Sequence, residues 1–389
     1  MFRIFIAFAV VLITTLATYI ILEIRAVNIK SLPVAEGTTR QQRIVELENW
    51  LQELGRSGHF NGSVLIAHKN KILLESNIGK RSAKGPSITP KTTFNIASVT
   101  KHFTAAAILL LQSRDKLTFD DPLHRHLPEL KQFENVTIRH LLVGTSGLPD
   151  YVAAADQLLQ GIELLTNQKL IRWLSTQKPN STFQVGQTYA YSNTAYVVLS
   201  EIIERVSGQP FHEFMQQHLF TPAKMTNTTI YRQNAIHPAM KNLATSMKKR
   251  FFYVGDYVDQ LPSQLDGVAG DGNIITSPRD LEKWHNALLN GSVIPTADYR
   301  EALTIQTADD GTPIVEHWGN RDLYLGLGWN LYKGRGDHDS FGSWNGYQNY
   351  FYRAPDKDLT IVVLANAAHF IPFSMIVDEL KGNVLSWQN

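Results

Sequence analysis

The sequence predicts an α/β (α+β) protein in which strands from both ends of the chain build one antiparallel layer, with a helical subdomain inserted between them. Residues 63–68 and 71–76 read as two strands joined at a turn containing Asn70, a hairpin. Residues 117–265 change to helical periodicity and loops. Residues 350–353 and 359–365 return to strands, with a last helix near 373–380. The chain has 389 residues, 43% apolar and 19% charged, which suits a large packed core and excludes a disordered chain. The resulting plan is a leading segment 1–37, a body 38–389 with its helical subdomain at about 117–265, and a cleft between subdomain and sheet.

Residues 4–22 carry no charge. As a helix rising about 1.5 Å per residue they nearly cross a hydrocarbon core of about 30 Å. Arg3 precedes the run while Arg25 and Lys30 follow it, so charge does not settle orientation. The run is longer than a signal-peptide core, and Leu16-Ala17 makes a poor cleavage site. An uncleaved membrane anchor is the expectation, and secretion after cleavage the alternative. Residues 26–37, with Pro33, read as a linker. Thr39 and Gln42 form a capping box that opens a helix with Ile44, Leu47, Trp50, Leu51 and Leu54 on its apolar face.

Ser98-Val99-Thr100-Lys101 stands at the mouth of the apolar run 103–111. Positions three apart share one helix face, with Cβ atoms about 5–6 Å apart, so Lys101 can reach Ser98 Oγ. A serine needs a neighbour that takes its proton before it attacks an acyl group, and a lysine among apolar groups can serve. The same tetrad also occurs as an exposed cap beside a solvated lysine, so context decides. Here the following helix is apolar nearly all round, which marks it as buried.

Two later segments supply what that pair lacks. Tyr191-Ser192-Asn193 brings a phenol able to exchange a proton and a carboxamide able to hold Lys101 and a substrate carbonyl; read alone, it is the N-cap of a helix over 195–206. Gly342-Ser343-Trp344-Asn345-Gly346-Tyr347 precedes the last two strands. Glycine there permits close backbone approach, and the N–H groups of Ser343 and Ser98 can form an oxyanion hole.

In this order the three segments resemble the serine β-lactamase and penicillin-recognising superfamily. Tyr191-Ser192-Asn193 resembles its class C β-lactamase, D,D-peptidase and esterase branch. Phe60-Asn61-Gly62-Ser63-Val64, Thr145-Ser146-Gly147-Leu148-Pro149, Gly270-Asp271-Gly272-Asn273 and Gly326-Leu327-Gly328-Trp329 extend the likeness from about residue 40 to the C-terminus. The resemblance implies a class C β-lactamase-like fold and an acyl-enzyme mechanism on an amide or ester: a D-amino-acid peptide, an ester or a β-lactam-like substrate. It also implies a body outside the cytoplasm, on a bacterial inner membrane facing the periplasm. One departure concerns Ser340, which stands where relatives carry lysine or histidine at the start of the third motif. Its lack of charge disfavours efficient β-lactam hydrolysis and favours ester or neutral amide substrates. His338, two residues earlier, reaches inward only if the strand bulges. A second departure is Gly144, where relatives often carry histidine. The alternative from another class is a membrane-tethered binding or scaffold protein that keeps the fold without turnover.

Other chemistries are disfavoured. There is no cysteine, so thiol nucleophiles and cysteine-held zinc are excluded. The thirteen histidines are scattered without a His-Glu-x-x-His, so no metal and no cofactor are expected. Gly144-Thr145-Ser146-Gly147 falls short of the Gly-x-Ser-x-Gly elbow. The net charge is +2, and Lys248-Lys249-Arg250 reads as a solvated loop, so no nucleic-acid partner is expected. Oligomeric state is left open.

Overall fold

The computed structural model describes residues 13–18, 20–21, 29, 31–32, 37–161, 164–232, 236–251, 254–318, 321–367 and 370–387. The fold is a mixed α/β one built on an eight-stranded sheet in which every neighbouring pair is antiparallel. Strands β1 (Gly62–His68) and β2 (Lys71–Ile78) form the expected hairpin. Lys69 and Asn70 both take positive φ (51° and 58°), the turn geometry that matches the twist of the flanking strands. Three short strands follow outside that sheet, β3 (Phe94–Asn95), β4 (Thr229–Ile230) and β7 (Ile274–Thr276), with β7 pairing between the other two. A separate hairpin is formed by β5 (Met247–Phe251) and β6 (Val254–Asp259). Lys248, Lys249 and Arg250 therefore lie on a strand, not in the loop their charges suggested, because β6 gives their backbone a partner.

The remaining strands come from the end of the chain: β8 (Val315–Trp318), β9 (Arg321–Leu325), β10 (Asn330–Leu331), β11 (His338–Trp344), β12 (Tyr347–Ala354) and β13 (Leu359–Ala365). The order β2-β1-β13-β12-β11-β10-β9-β8 joins the two chain ends by pairing β1 with β13 from Gly62↔Ala365 to His68↔Leu359. Both faces of the central strands are buried, and side chains alternate between two cores. Val64, Ile66, Tyr350, Tyr352 and Val363 face a cluster with helices α1 (Arg40–Arg56) and α6 (Phe370–Ser386). Leu65, Phe351, Val362 and Leu364 face the larger cluster.

Helix α1 starts at the expected capping box, with both Thr39–Gln42 bonds made. The larger core surrounds α2 (Lys101–Ser113), whose residues from Lys101 to Leu111 are all buried. Packed with it are α3 (Asn167–Gln177), α4 (Asn193–Ser207) and α5 (Pro278–Leu289). The Ser192 hydroxyl caps α4 by accepting from Ala195 N–H, and Gly208 closes it in the left-handed conformation (φ 70°).

The span expected over residues 4–22 lies mostly outside the described residues; 13–18 are helical and exposed. Among the described residues no helix is long and apolar enough to cross a membrane. The architecture is thus supported without the transmembrane helix.

Candidate active site

The approach to Ser98 is a bent backbone. Ala97 sits at φ +47°, a region costing a non-glycine residue about 1–3 kcal/mol, and its N–H donates to Asn95 Oδ1 at 2.9 Å. Residues Ala97–Thr100 form a 3-10 turn that runs directly into α2. Ser98 is thus on a tight turn at the head of the helix, and not on the helix itself. The turn is anchored behind by Thr100 Oγ1, which accepts from Ile274 N–H at 3.2 Å.

Two of the groups expected from a separate segment, Tyr191 and Asn193, meet at Ser98 and Lys101. Lys101, 7% exposed, donates from Nζ to Ser98 Oγ at 3.2 Å, to Asn193 Oδ1 at 2.8 Å and to the Asp271 carbonyl at 3.0 Å. Three acceptors match the three N–H groups of an ammonium. The Tyr191 hydroxyl donates to Ser98 Oγ at 2.7 Å, and Lys101 Nζ lies 4.8 Å from the centre of its ring. Asn193 occupies the first turn of α4 and is held by Asp150, which accepts from its backbone N–H at 2.5 Å and from Nδ2 at 3.3 Å. That fixes the amide so that its oxygen faces Lys101.

The sheet edge meets the turn at Gly342. A Cβ there would lie 2.2 Å from the Ile96 carbonyl and 3.1 Å from the backbone nitrogens of Ser98 and Val99. Only glycine lets β11 run this close, and the close approach is to the turn's own backbone. Asn349 on β12 staples the two together, donating from Nδ2 to the carbonyls of Asn95 (3.1 Å) and Gly342 (3.3 Å). Ser343 is exposed, and its hydroxyl accepts from Gln348 Nε2 at 2.7 Å. Ser340 lines a chamber of about 70 Å3 shared with Ser98, Lys101 and Tyr191, so it stands beside Ser98 but carries no charge. His338 is buried away from the site, its Nε2 3.3 Å from the Tyr299 hydroxyl. Gly144 has φ +72°, and a Cβ would meet the Tyr189 ring at 2.7 Å and the Ala190 carbonyl at 3.1 Å, which explains why no histidine stands there.

Sequence reasoning gave no role to Asp150, Asp271, Tyr151 or Asn349. Tyr151 donates to Asp271 Oδ2 at 2.8 Å. Burial pushes the Asp271 carboxyl above its usual range, against the pull of Lys101, and burial likewise drives the Tyr151 phenol up. The signals were present as Leu148-Pro149-Asp150-Tyr151 and Gly270-Asp271, but their acceptor and donor roles depend on long-range placement.

Ser98, Tyr191, Asn193, Gly342 and Ser343 open onto a cavity of about 700 Å3, of a size for a small ligand. Its wall is largely apolar, including Val152, Leu265, Val268 and Phe341, with Asp271, Glu316, His317 and Arg321 among its charged or titratable members. Among the described residues no cluster of His, Asp or Glu could hold a metal ion.

Residues 47–384 match the family model described as Beta-lactamase. Penicillin-binding protein 4* of Bacillus subtilis (strain 168) is 31% identical over 367 residues, covering 90% of this chain and 77% of that protein. Protein flp of Staphylococcus aureus (strain MW2) is 27% identical, covering 90% and 67%. Among solved structures, the octameric penicillin-binding protein homologue from Pyrococcus abyssi superposes with a TM-score of 0.74 at 24% identity, covering 88% of this chain and 77% of that one. D-amino acid amidase from Ochrobactrum anthropi SV3, complexed with L-phenylalanine amide, gives 0.73 at 20% identity, covering 90% and 99%. These structures share the fold, and the match over most of the sequence settles the kinship: the chain belongs to the beta-lactamase family of serine hydrolases.

Proposed function

We propose that this chain hydrolyses an amide or ester through an acyl-enzyme on Ser98. The observation that carries the reading is the pair of hydrogen bonds to one oxygen, from Tyr191 at 2.7 Å and Lys101 at 3.2 Å, at the wall of a 700 Å3 cavity. The Tyr191–Lys101 pair takes the Ser98 proton: Tyr191, its own hydrogen first given up to solvent, is the direct acceptor as phenolate, the Ser98 hydroxyl then donating across the 2.7 Å contact, while Lys101 steadies the negative charge. Ser98 Oγ bonds to the carbonyl carbon, and the backbone N–H groups of Ser98 and Ser343 hold the oxyanion. Tyr191 passes the proton to the leaving amine or alcohol as that bond breaks. Water then gives a proton to Tyr191, attacks the acyl carbon, and the acid leaves as Ser98 recovers its hydrogen.

The substrate is a D-amino-acid peptide, an ester or a β-lactam-like compound, with esters and neutral amides preferred because Ser340 offers no cation. The names of the relatives, a penicillin-binding protein and a D-amino acid amidase, support that range. The domain plan of a leader 1–37 and a body 38–389 belongs to this proposal. So does a body held outside the cytoplasm by residues 4–22. Turnover of nitrocefin, p-nitrophenyl acetate and D-alanyl peptides by the wild type and by Ser98→Ala tests it. The ester is expected to be hydrolysed fastest, with all turnover lost in the variant. Silence of the wild type toward all three supports the binding-protein alternative instead.

A further inference from the structure

One ring deeper than the nucleophile, the core holds a positive charge without a carboxylate against it. Arg353 on β12 is 1% exposed. Its Nε donates to His285 Nδ1 at 3.2 Å and its Nη2 to the Tyr299 hydroxyl at 2.6 Å. Among the described residues it has no ion pair. Asp358 reaches it only through the His285 ring, whose Nε2 lies 3.4 Å from Asp358 Oδ1. A guanidinium keeps its charge in proteins, and leaving that charge unbalanced in a dry core is strongly unfavourable.

The hydrogen bonds around Arg353 fix where the protons are. Tyr299 accepts from Arg353 and so turns its own hydrogen to His338 Nε2 at 3.3 Å. In the tautomer that gives the Tyr299 hydrogen an acceptor, His338 carries its own hydrogen on Nδ1, which is buried and meets no protein acceptor. Arg353 Nη1, the indole N–H groups of Trp284 and Trp329, and both nitrogens of His102, one of them an N–H, are likewise buried without a hydrogen-bond partner. His102 lies with ring centroids 6.1 Å from both indoles and 5.6 Å from Phe351. Thr360, opposite Arg353 in the β12–β13 register, adds an unpartnered buried hydroxyl able to donate. Burial, reinforced by the Arg353 charge, holds His102 and His338 well below the usual imidazole range, so both rings are neutral and Arg353 is the cation of the group. The cluster therefore has a surplus of N–H donors around one positive charge, with the second nitrogen of His102 as its unused ring acceptor. Water would satisfy donors but would leave the charge unbalanced.

We propose that Arg353, His338, His102 and Trp329 form a buried site for a small inorganic anion of halide size, chloride under ordinary conditions. The anion balances Arg353 and ties α2 to the sheet. His102 also lines the 70 Å3 chamber beside Ser98, so its ring stands between the cluster and the cleft. The proposal is independent of the acyl chemistry.

Thermal unfolding of the full chain in sodium chloride or bromide, against sodium gluconate at equal ionic strength, tests it. The halides are expected to raise Tm by about 2–5 °C and then level off, while gluconate leaves it unchanged. Equal responses in the three salts overturn the proposal. Trp329→Phe, which keeps an aromatic ring and removes one donor, should raise the half-saturating chloride concentration about threefold to tenfold; Arg353→Met should abolish the response if it folds. Crystals soaked in bromide should show an anomalous peak against Arg353 Nη1, and ordered water there without anomalous signal overturns the site.

Discussion

Tyr191 is 47% exposed, whereas Lys101 beside it is 7% exposed, and in the proposed mechanism that contrast divides the labour at Ser98. The exposed phenol can meet a leaving group and an incoming water; the buried ammonium is held by three acceptors. Tyr191→Phe removes the proton carrier while leaving the ring, so kcat should fall about 10²–10⁴-fold with KM little changed. Steady-state kinetics on p-nitrophenyl acetate check this, and an unchanged kcat would take Tyr191 out of the mechanism. Ser340→Lys places a cation in the small chamber beside the nucleophile. It should raise kcat/KM for carboxylate-bearing substrates relative to neutral esters, and an unchanged ratio would show that Ser340 is not the matching position. The meeting of Ser98, Lys101, Tyr191 and Asn193 was legible in the sequence because the chemistry proposed for them depends on residue type and short spacing. Asp271 was not, because it serves Lys101 with a backbone carbonyl, a group every residue has. The same holds for Asn349, whose side-chain amide bonds two carbonyls.

At the scale of elements, the contact of β11 with the nucleophile turn leaves no room at Gly342. Gly342→Ala should cost about 1–3 kcal/mol of stability, since backbone and not a flexible side chain stands in the way. Acylation should fall with it, and chemical denaturation together with ester turnover would report both; a variant with unchanged midpoint and rate contradicts the close approach. Helix α4 carries a different liability in Glu201, whose carboxyl burial pushes up to about 7 from 4.5. Below about pH 4.5 both folded and unfolded chains hold this proton. As pH rises the unfolded chain releases it first, so stability declines through the folded value near 7. Glu201→Gln should therefore stabilise the protein more at pH 8 than at pH 5, by up to about 3 kcal/mol. Urea midpoints at the two pH values decide it, and an equal gain at both would be contrary to the account. Long or strongly patterned elements such as α1, α2, α4 and β13 were readable from periodicity and caps. The strands β3, β4 and β7, two or three residues each, are too short to show alternation. The charges on β5 concealed a strand that only its pairing with β6 makes.

Over the whole molecule, β1 from the start of the body and β13 from its end are neighbours in one sheet, while the residues between them bring Tyr191 and Asn193 across the cleft to Ser98. The sheet–helix–sheet order of the sequence anticipated that closure, because hairpin and strand patterns at both ends had no other partners of similar length. The register joining them, and the use of one core on each sheet face, rests on contacts hundreds of residues apart and has no local signature. The central claim is that this long-range assembly makes one hydroxyl reactive. Intact-protein and peptide mass spectrometry after treatment with a fluorophosphonate probe tests it most directly. A single adduct on the peptide containing Ser98, absent from Ser98→Ala and slowed in Tyr191→Phe, is the result expected; an adduct elsewhere, or one that persists in Ser98→Ala, would contradict it.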